Sequence, residues 1–363
     1  MLKVAHSLVL LTLAYPLCAQ RYGFQYYGRE QGLLNVTPQC LLQDRTGYLW
    51  AGTQNGLFRY NGARFTQFNV GDGLPSMFIN AVHETRDGVL WVGTSGGLAR
   101  RIESKGKVRF ERVVMITAAP EDVRQNSIAS DSNGRLFVGT GSGLAVGTPH
   151  GASFAFLLYP ASRSIPAVAG VYVDNSDRVW YWCGSRVCRF VDGKAVPAGQ
   201  DLDASPNISA SLLMDRDGNL WARSSDSMFV LRKGAARFVR DDRDLPSSNS
   251  YSSVYLDREN TLLVPTDLGL ARRNKDRWEL IGKNQGLVTS ATSTVLQDRE
   301  GSIWIGCAGS GLARWKGYRQ WESWTDRDGF HTIPGGELVP LSAFGETQKE
   351  TAPAHPELFL VIE

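Results

Sequence analysis

The chain has 363 residues and a formal charge of +3, from 39 Lys and Arg against 36 Asp and Glu. So even a balance leaves no electrostatic footprint for a phosphate backbone, and nucleic acid is excluded as an expected partner. With 38 Gly, 10 Trp and no helical periodicity, the chain reads as an array of short strands and tight turns rather than a helical or mixed domain.

In chain order, Lys3 precedes an apolar stretch from Leu8 to Ala14, and Leu17-Cys18-Ala19 offers a cleavage point before Gln20. This layout predicts a secretory signal over residues 1–19 and a periplasmic or secreted mature protein. No later segment approaches the 18 consecutive apolar residues of a membrane helix, so no membrane span is expected after cleavage.

From Trp50 onward one phrase repeats seven times: an aliphatic run, an acidic turn, an aromatic-centred strand and usually a Gly-Leu pair. Its anchors are Trp50, Trp91, Phe137, Trp180, Trp221, Leu263 and Trp304, spaced 41, 46, 43, 41, 42 and 41 residues apart. Six residues before each anchor stands Asp44, Thr85, Asp131, Asp174, Asp215, Asp257 or Asp298, and nine before it an aliphatic residue in every copy. The column ten before the anchor is always small, from Cys40 to Thr294, as strands converging on a central axis require. Asp with Gly three residues on is a turn signature, so each Asp is read as a turn former and each anchor as core. A segment that cannot bury its own apolar face must stack on copies of itself, and four strands per repeat of this length build one blade. The fold class is therefore all-β, a seven-bladed β-propeller of four-stranded antiparallel blades over residues 20–330.

Two segments are surplus to a simple count. Phe24 to Tyr27 and Trp321 to Trp324 both resemble fourth strands, and either one closes the last blade. Residues 331–363 show no repeat and are expected to form an irregular C-terminal tail. Four cysteines remain after cleavage, without metal-site spacing, and neither metal nor cofactor is expected. Cys183 and Cys188 flank the turn Gly184-Ser185-Arg186, either as a disulfide across a hairpin or as two separate buried residues. Cys40 and Cys307 fall in the first and last repeats, which are neighbours in a closed ring.

The segment Leu41 to Phe68, LLQDRTGYLWAGTQNGLFRYNGARFTQF, resembles the two-component regulator propeller repeat, as does Val295 to Trp315. That resemblance implies a periplasmic sensor region reading an extracellular small molecule, often a saccharide. It also implies a membrane-bound histidine kinase or cyclase as output partner. Because the repeat pattern stops at Phe330, the chain reads as a sensor without its transmitter, either a stand-alone module or a piece of an interrupted regulator.

In a propeller, the connections from fourth to first strand and from second to third emerge on one face, where ligands dock. Two residues after the anchor, most blades carry Gly, but blades 4, 5 and 6 carry Trp182, Arg223 and Pro265. Drift of a tolerant position is one reading. The functional reading is a sector in which Trp182 stacks on a sugar, Arg186, Arg223 and Tyr251 bond it, and Arg124 and Arg163 favour an anion. No catalytic residue is expected: His83 stands next to Glu84, but neighbours on a strand point to opposite sides and cannot share one substrate. The leading expectation is a non-enzymatic ligand-binding propeller, with a protein-interaction scaffold and a secreted lyase as alternatives.

Overall fold

In this computed structural model, residues 21–34, 37–115, 122–151, 153–160, 167–200, 202, 210–248 and 253–319 are described, together with the backbone of four short strands beyond them. The expected signal segment 1–19 lies outside the described residues.

Six of the seven repeats are closed by a turn carboxylate, which does more than make a turn. In the first, Asp44 Oδ1 accepts from the backbone N–H of Thr46 and Tyr48, both at 3.0 Å, while Oδ2 accepts from Trp50 Nε1 at 2.7 Å. The same indole bond joins Asp174 to Trp180 at 3.0 Å, Asp215 to Trp221 at 2.8 Å and Asp298 to Trp304 at 2.8 Å. Where the anchor has no N–H, another donor fills the place: Arg135 Nε reaches Asp131 at 2.6 Å, and the Tyr318 hydroxyl reaches Asp257 at 2.8 Å. Blade 2 has Thr85 instead of Asp, and there the buried Trp91 indole N–H has no partner. The buried polar atom is satisfied wherever the sequence supplies the acid.

The turns connect strands into seven four-stranded antiparallel sheets, each made of consecutive strands except the last. Blade 1 runs from Pro38–Gln43 to Phe65–Phe68, blade 2 from Ile79–Glu84 to Lys107–Val113, and blade 3 from Val123–Ser130 to Ser153–Tyr159. Blade 4 spans Ala169–Val173 to Lys194–Pro197, blade 5 Ser211–Met214 to Val239–Arg240, and blade 6 Tyr255–Leu256 to Arg277–Ile281. Blade 7 takes Thr292–Gln297, Ile303–Cys307 and Gly311–Trp315 from the end of the ring and Phe24–Tyr27 from its beginning. The question of closure is thus decided: Phe24 pairs with Trp315 and Tyr27 with Leu312. Tyr27 then packs its ring 4.9 Å from Trp304 and 5.3 Å from Tyr60, tying blade 7 to blade 1. Trp321–Trp324 pairs instead with Leu358–Val361, and Phe330–Thr332 with Leu338–Pro340, so the expected irregular tail contains two short ladders of its own. Gly23–Arg319 forms one compact unit.

Blades meet through seams whose width the sequence sets. A Cβ on Gly52 would stand 2.5 Å from Cys40 Sγ and 2.6 Å from Ile79 Cγ2, and one on Gly93 only 2.4 Å from Val123 Cγ1. Glycine is needed there because the next blade's first strand packs against the bare backbone. On the turn side of the ring, the Arg that follows the turn Asp reaches the next blade. Arg258 Nη2 donates to Asp298 O at 2.8 Å, Arg299 Nη2 to Asp44 O at 2.7 Å, and Arg45 Nη2 to Arg86 O at 2.7 Å. This belt runs from blade 6 through 7 and 1 to 2, across the point where the ring closes.

Asp298 accepts from Ser302 N at 2.7 Å and Arg314 Nη2 at 2.7 Å as well as from Trp304. Asp298→Ala leaves three buried or half-buried donors unpaired and should cost about 3 kcal/mol, whereas Thr85→Asp supplies the acceptor Trp91 lacks and should add about 1 kcal/mol. Urea unfolding followed by tryptophan fluorescence measures both, and an unmoved midpoint for Asp298→Ala would reduce the carboxylate to an ordinary turn residue.

Candidate functional site

The connections between blades and the turns from second to third strand share one end of the ring. Three residues after the anchor, a hydroxyl clips most of these turns shut. Thr53 Oγ1 donates to Gly56 O at 2.8 Å, Thr94 to Gly97 O at 2.9 Å, Thr140 to Gly143 O at 2.9 Å and Thr266 to Gly269 O at 2.7 Å. In blade 4 the clip is replaced by Cys183, which forms a disulfide with Cys188 across the turn. Cys40 and Cys307 are free and buried, and burial pushes both thiols up to about 12. The described turns from second to third strand are thus tied by side-chain hydrogen bonds or, in blade 4, by the disulfide.

At its centre the channel encloses a cavity of about 220 Å³. The whole aliphatic column lines it: Leu41, Val82, Ile128, Val171, Leu212, Val254 and Val295, with Cys40, Ala81, Ser211, Ser253 and Thr294 of the small column between them. First strands thus line the channel as their composition requires. At the mouth the first strands of several blades bulge. Blades 1 and 2 each carry one residue in excess of the neighbouring strand, Gln39 and Asn80, whereas blade 3 carries three between Val123 and Ile128. A bulge re-aims side chains out of the ladder, and here it turns carboxamides toward one place. Gln125 Nε2 donates to Gln39 Oε1 at 2.8 Å, joining blades 1 and 3, while Asn80 Nδ2 between them donates to Val123 O at 2.7 Å. Asn126 lines the cavity from a left-handed backbone with φ of 50°, a conformation Asn tolerates better than most residues. Gln39 is only 4% exposed, and its Nε2 has no hydrogen-bond partner.

Sequence reasoning missed this cluster because its interest lay in the wrong column. Eleven residues before the anchor, blades 1 to 3 carry Gln39, Asn80 and Asn126, whereas blades 4 and 5 carry Ala169 and Ala210. The 46-residue spacing between Trp91 and Phe137 was a second signal that blade 3 holds extra chain.

The expected recognition sector of blades 4 to 6 is dispersed. Trp182 is 4% exposed and packs in the core shared with blade 5, among Leu202, Ala210 and Leu212, with Nε1 toward Ser211 O at 3.4 Å. Its faces are occupied by protein, which corrects its reading as a stacking platform. Arg223 is fully buried; Nη2 donates to Ser225 O at 3.4 Å and Pro246 O at 3.3 Å, and Nε and Nη1 have no hydrogen-bond partner. Desolvation lowers its pKa to about 10 against the opposing pull of Asp242, Asp226 and Asp267, so it stays cationic at neutral pH. Both residues fill seams that glycine keeps narrow elsewhere. Arg186 is exposed at the disulfide-closed turn of blade 4, and Arg124, in the blade 3 bulge, pairs with Asp122 at 3.3 Å. Arg163 and Tyr251 lie outside the described residues.

His83 is half-buried, its Nε2 lies 2.9 Å from Ser130 Oγ in blade 3, and desolvation lowers its pKa to about 4. Glu84 turns to blade 1, where its Oε2 accepts from Arg45 N at 2.9 Å. The pair is split between two partners and offers no shared substrate position. Among the described residues no cluster of His, Cys, Asp and Glu has the geometry of a metal site.

Two expectations follow for stability. Trp182→Ala should cost about 3–5 kcal/mol through the cavity it leaves, whereas Arg223→Met, which removes a buried charge with unpaired donors, should be neutral or stabilising by about 1 kcal/mol. Chemical denaturation separates them, and a large loss for Arg223→Met would show that its carbonyl bonds dominate. The second concerns pH. His83 falls from 6.5 to about 4 on folding, so its contribution is complete above pH 6.5 and is lost as pH falls through 4. At Asp174, burial pushes the carboxyl up, but bonds from Trp180, Ser176 and Arg178 outweigh it and hold the group below 3.8. Its contribution is therefore present above 3.8 and lost as pH falls through the lower folded value. The stability profile should decline in two limbs, and His83→Gln should remove only the upper one; persistence of that limb would contradict the assignment.

The family described as two component regulator propeller matches residues 32–55 and 73–96. No curated protein sequence matches the chain. Among solved structures, the extracellular domain of a hybrid two component system from B. thetaiotaomicron superposes with a TM-score of 0.67 at 21% identity, covering 84% of this chain and 43% of that one. The extracellular domain of a one component system from the same organism gives 0.64 at 21%, covering 82% and 40%. This chain spans about two fifths of the length of those domains. A catalytically inactive histidine-to-alanine variant of virginiamycin B lyase from Staphylococcus aureus, with quinupristin, gives 0.61 at 13%, covering 81% and 99%. No helix among the described residues is long and apolar enough to cross a membrane. Residues 32–55 and 73–96 are thus two component regulator propeller repeats, set in a seven-bladed propeller similar in fold to extracellular domains of two-component systems.

Proposed function

We propose that the protein is an exported, non-catalytic ligand-reading propeller whose signal is carried by a membrane-bound kinase or cyclase. The observation that carries this reading is the repeat itself: two copies match the two component regulator propeller family, and the same architecture covers 84% of the chain on an extracellular domain. The Cys183–Cys188 disulfide supports an oxidising compartment, and the two remaining thiols are too deeply buried to exchange with it. A stiff ligand face around a central cavity supports small-molecule recognition, a saccharide being the class in keeping with the repeat family.

A lyase is the second reading, favoured by the likeness to virginiamycin B lyase over 99% of that enzyme's length. Against it, the ring of His83 is held in a seam between blades 2 and 3 by Ser130.

Three measurements test the proposal. Residues 1–19 fused to alkaline phosphatase should give activity outside the cytoplasm. Calorimetry against neutral and acidic oligosaccharides should find a one-to-one ligand. Quinupristin incubated with the protein should elute unaltered by liquid chromatography. A cytoplasmic fusion, or a chain that binds no saccharide and instead holds a stable protein partner, would overturn the sensor reading, and altered quinupristin would overturn the non-catalytic one.

A further inference from the structure

The channel mouth has a chemistry of its own. Among the described residues, those lining its cavity of about 220 Å³ include no charged side chain. That volume corresponds to roughly seven waters at their liquid density. Ser211, Ser253 and Thr294 bring hydroxyls to the wall and Asn126 an amide, over a floor of aliphatic side chains. An ion entering such a space sheds its hydration without meeting an opposite charge, which is prohibitive, whereas an uncharged solute exchanges its waters for amides and hydroxyls at little net cost. The aliphatic column suits the C–H surface of the same solute.

The entrance is built, and it is incompletely satisfied. Blade 3 spends three extra residues on its bulge, and the result is the Gln125–Gln39 bond, 2.8 Å long, which links blades 1 and 3 past blade 2. Gln39 adjoins Cys40 on the cavity wall, and its buried Nε2 donor lacks a partner. A buried amide donor left unpaired is costly, and a ligand's acceptor would relieve that cost.

We propose that this mouth binds a small, uncharged, hydrogen-bonding solute, with Gln39 and Asn126 as recognition groups and the Gln125–Gln39 bond as the latch across the entrance. The proposal rests on the binding reading above and assigns it a place and a ligand chemistry. Opening the latch frees the Gln39 carbonyl as well as its amide, so a solute with paired donors and acceptors fits best.

The test uses a Ser253→Cys reporter in the cavity and Val70→Cys as an exposed control on the same face. Native Cys40, which lines the same cavity, and Cys307 are replaced by alanine in both backgrounds, so that only the introduced thiol is read. Alkylation is followed by mass spectrometry with iodoacetamide, which is uncharged, and iodoacetate, its anionic counterpart. The cavity cysteine should prefer iodoacetamide by roughly tenfold more than the control does. Gln125→Ala and Gln39→Ala should each accelerate its labelling several-fold, the second variant guarding against misfolding of the first. myo-Inositol, an uncharged ring polyol, should slow labelling, and quinate, an anionic one, should not. Selectivity equal to the control, or no protection by myo-inositol, overturns the site; rates unchanged in both glutamine variants overturn the latch. A ligand found by calorimetry that leaves the cavity cysteine's labelling untouched would overturn this site while leaving the sensor reading intact.

Discussion

The ring depends on a hydrogen bond between a turn carboxylate and an indole six residues further on. A Trp anchor buries a large apolar body in five of the seven blades, but its N–H is an obligatory donor that cannot be buried unpaired without loss. The Asp that closes the preceding turn is the one group placed to accept it, as Asp44 does from Trp50 at 2.7 Å and Asp298 from Trp304 at 2.8 Å. One residue therefore fixes the turn, the rotamer of the core aromatic and the depth at which neighbouring blades meet. Where the anchor is Phe137 or Leu263, an Arg or a Tyr takes its place at the carboxylate, which shows that the acid's position rather than the Trp is the constant.

With a turn carboxylate in every repeat but the second, closure becomes a matter of joining the ends. The pairing of Phe24–Tyr27 with Gly311–Trp315 puts strands from both ends of the ring into one sheet, and the arginine belt from Arg258 to Arg45 crosses the same junction on the turn side. Closing the ring through the N-terminal strand costs more loop entropy than a local hairpin would, but it locks the first and last blades together and leaves blade 7 without a missing fourth strand. The opposite face is then free to vary, since its turns are held by threonine clips or, in blade 4, by a disulfide.

Much of this was legible in the sequence. Blade number followed from the spacing of Trp50 to Trp304, and the channel-lining strands from the small and aliphatic columns beside Leu41. The Asp–Trp bond was not, because a contact between residues six apart belongs neither to the strand period nor to the turn, and only the folded turn brings them together. Two of the residues singled out, Trp182 and Arg223, are buried instead, for a physical reason. Trp182 and Arg223 stand out because they break a glycine column, yet that column reports seam packing, and a residue that breaks it widens the seam instead of facing solvent. The polar mouth on blades 1 to 3 was hidden because Gln39 and Gln125 are unremarkable residues whose meaning comes from bulges, and bulges are visible only in the register between strands.

The most direct test of the account is a double-mutant cycle on Asp44→Ala and Trp50→Phe, with Thr85→Ala and Trp91→Phe as the matched cycle in the blade that lacks the acid. A charge-assisted indole bond predicts a coupling of about 1.5 kcal/mol or more for the first pair and close to zero for the second. Equal couplings in the two cycles, or none in the first, would contradict the claim that the carboxylate–indole bond sets the ring.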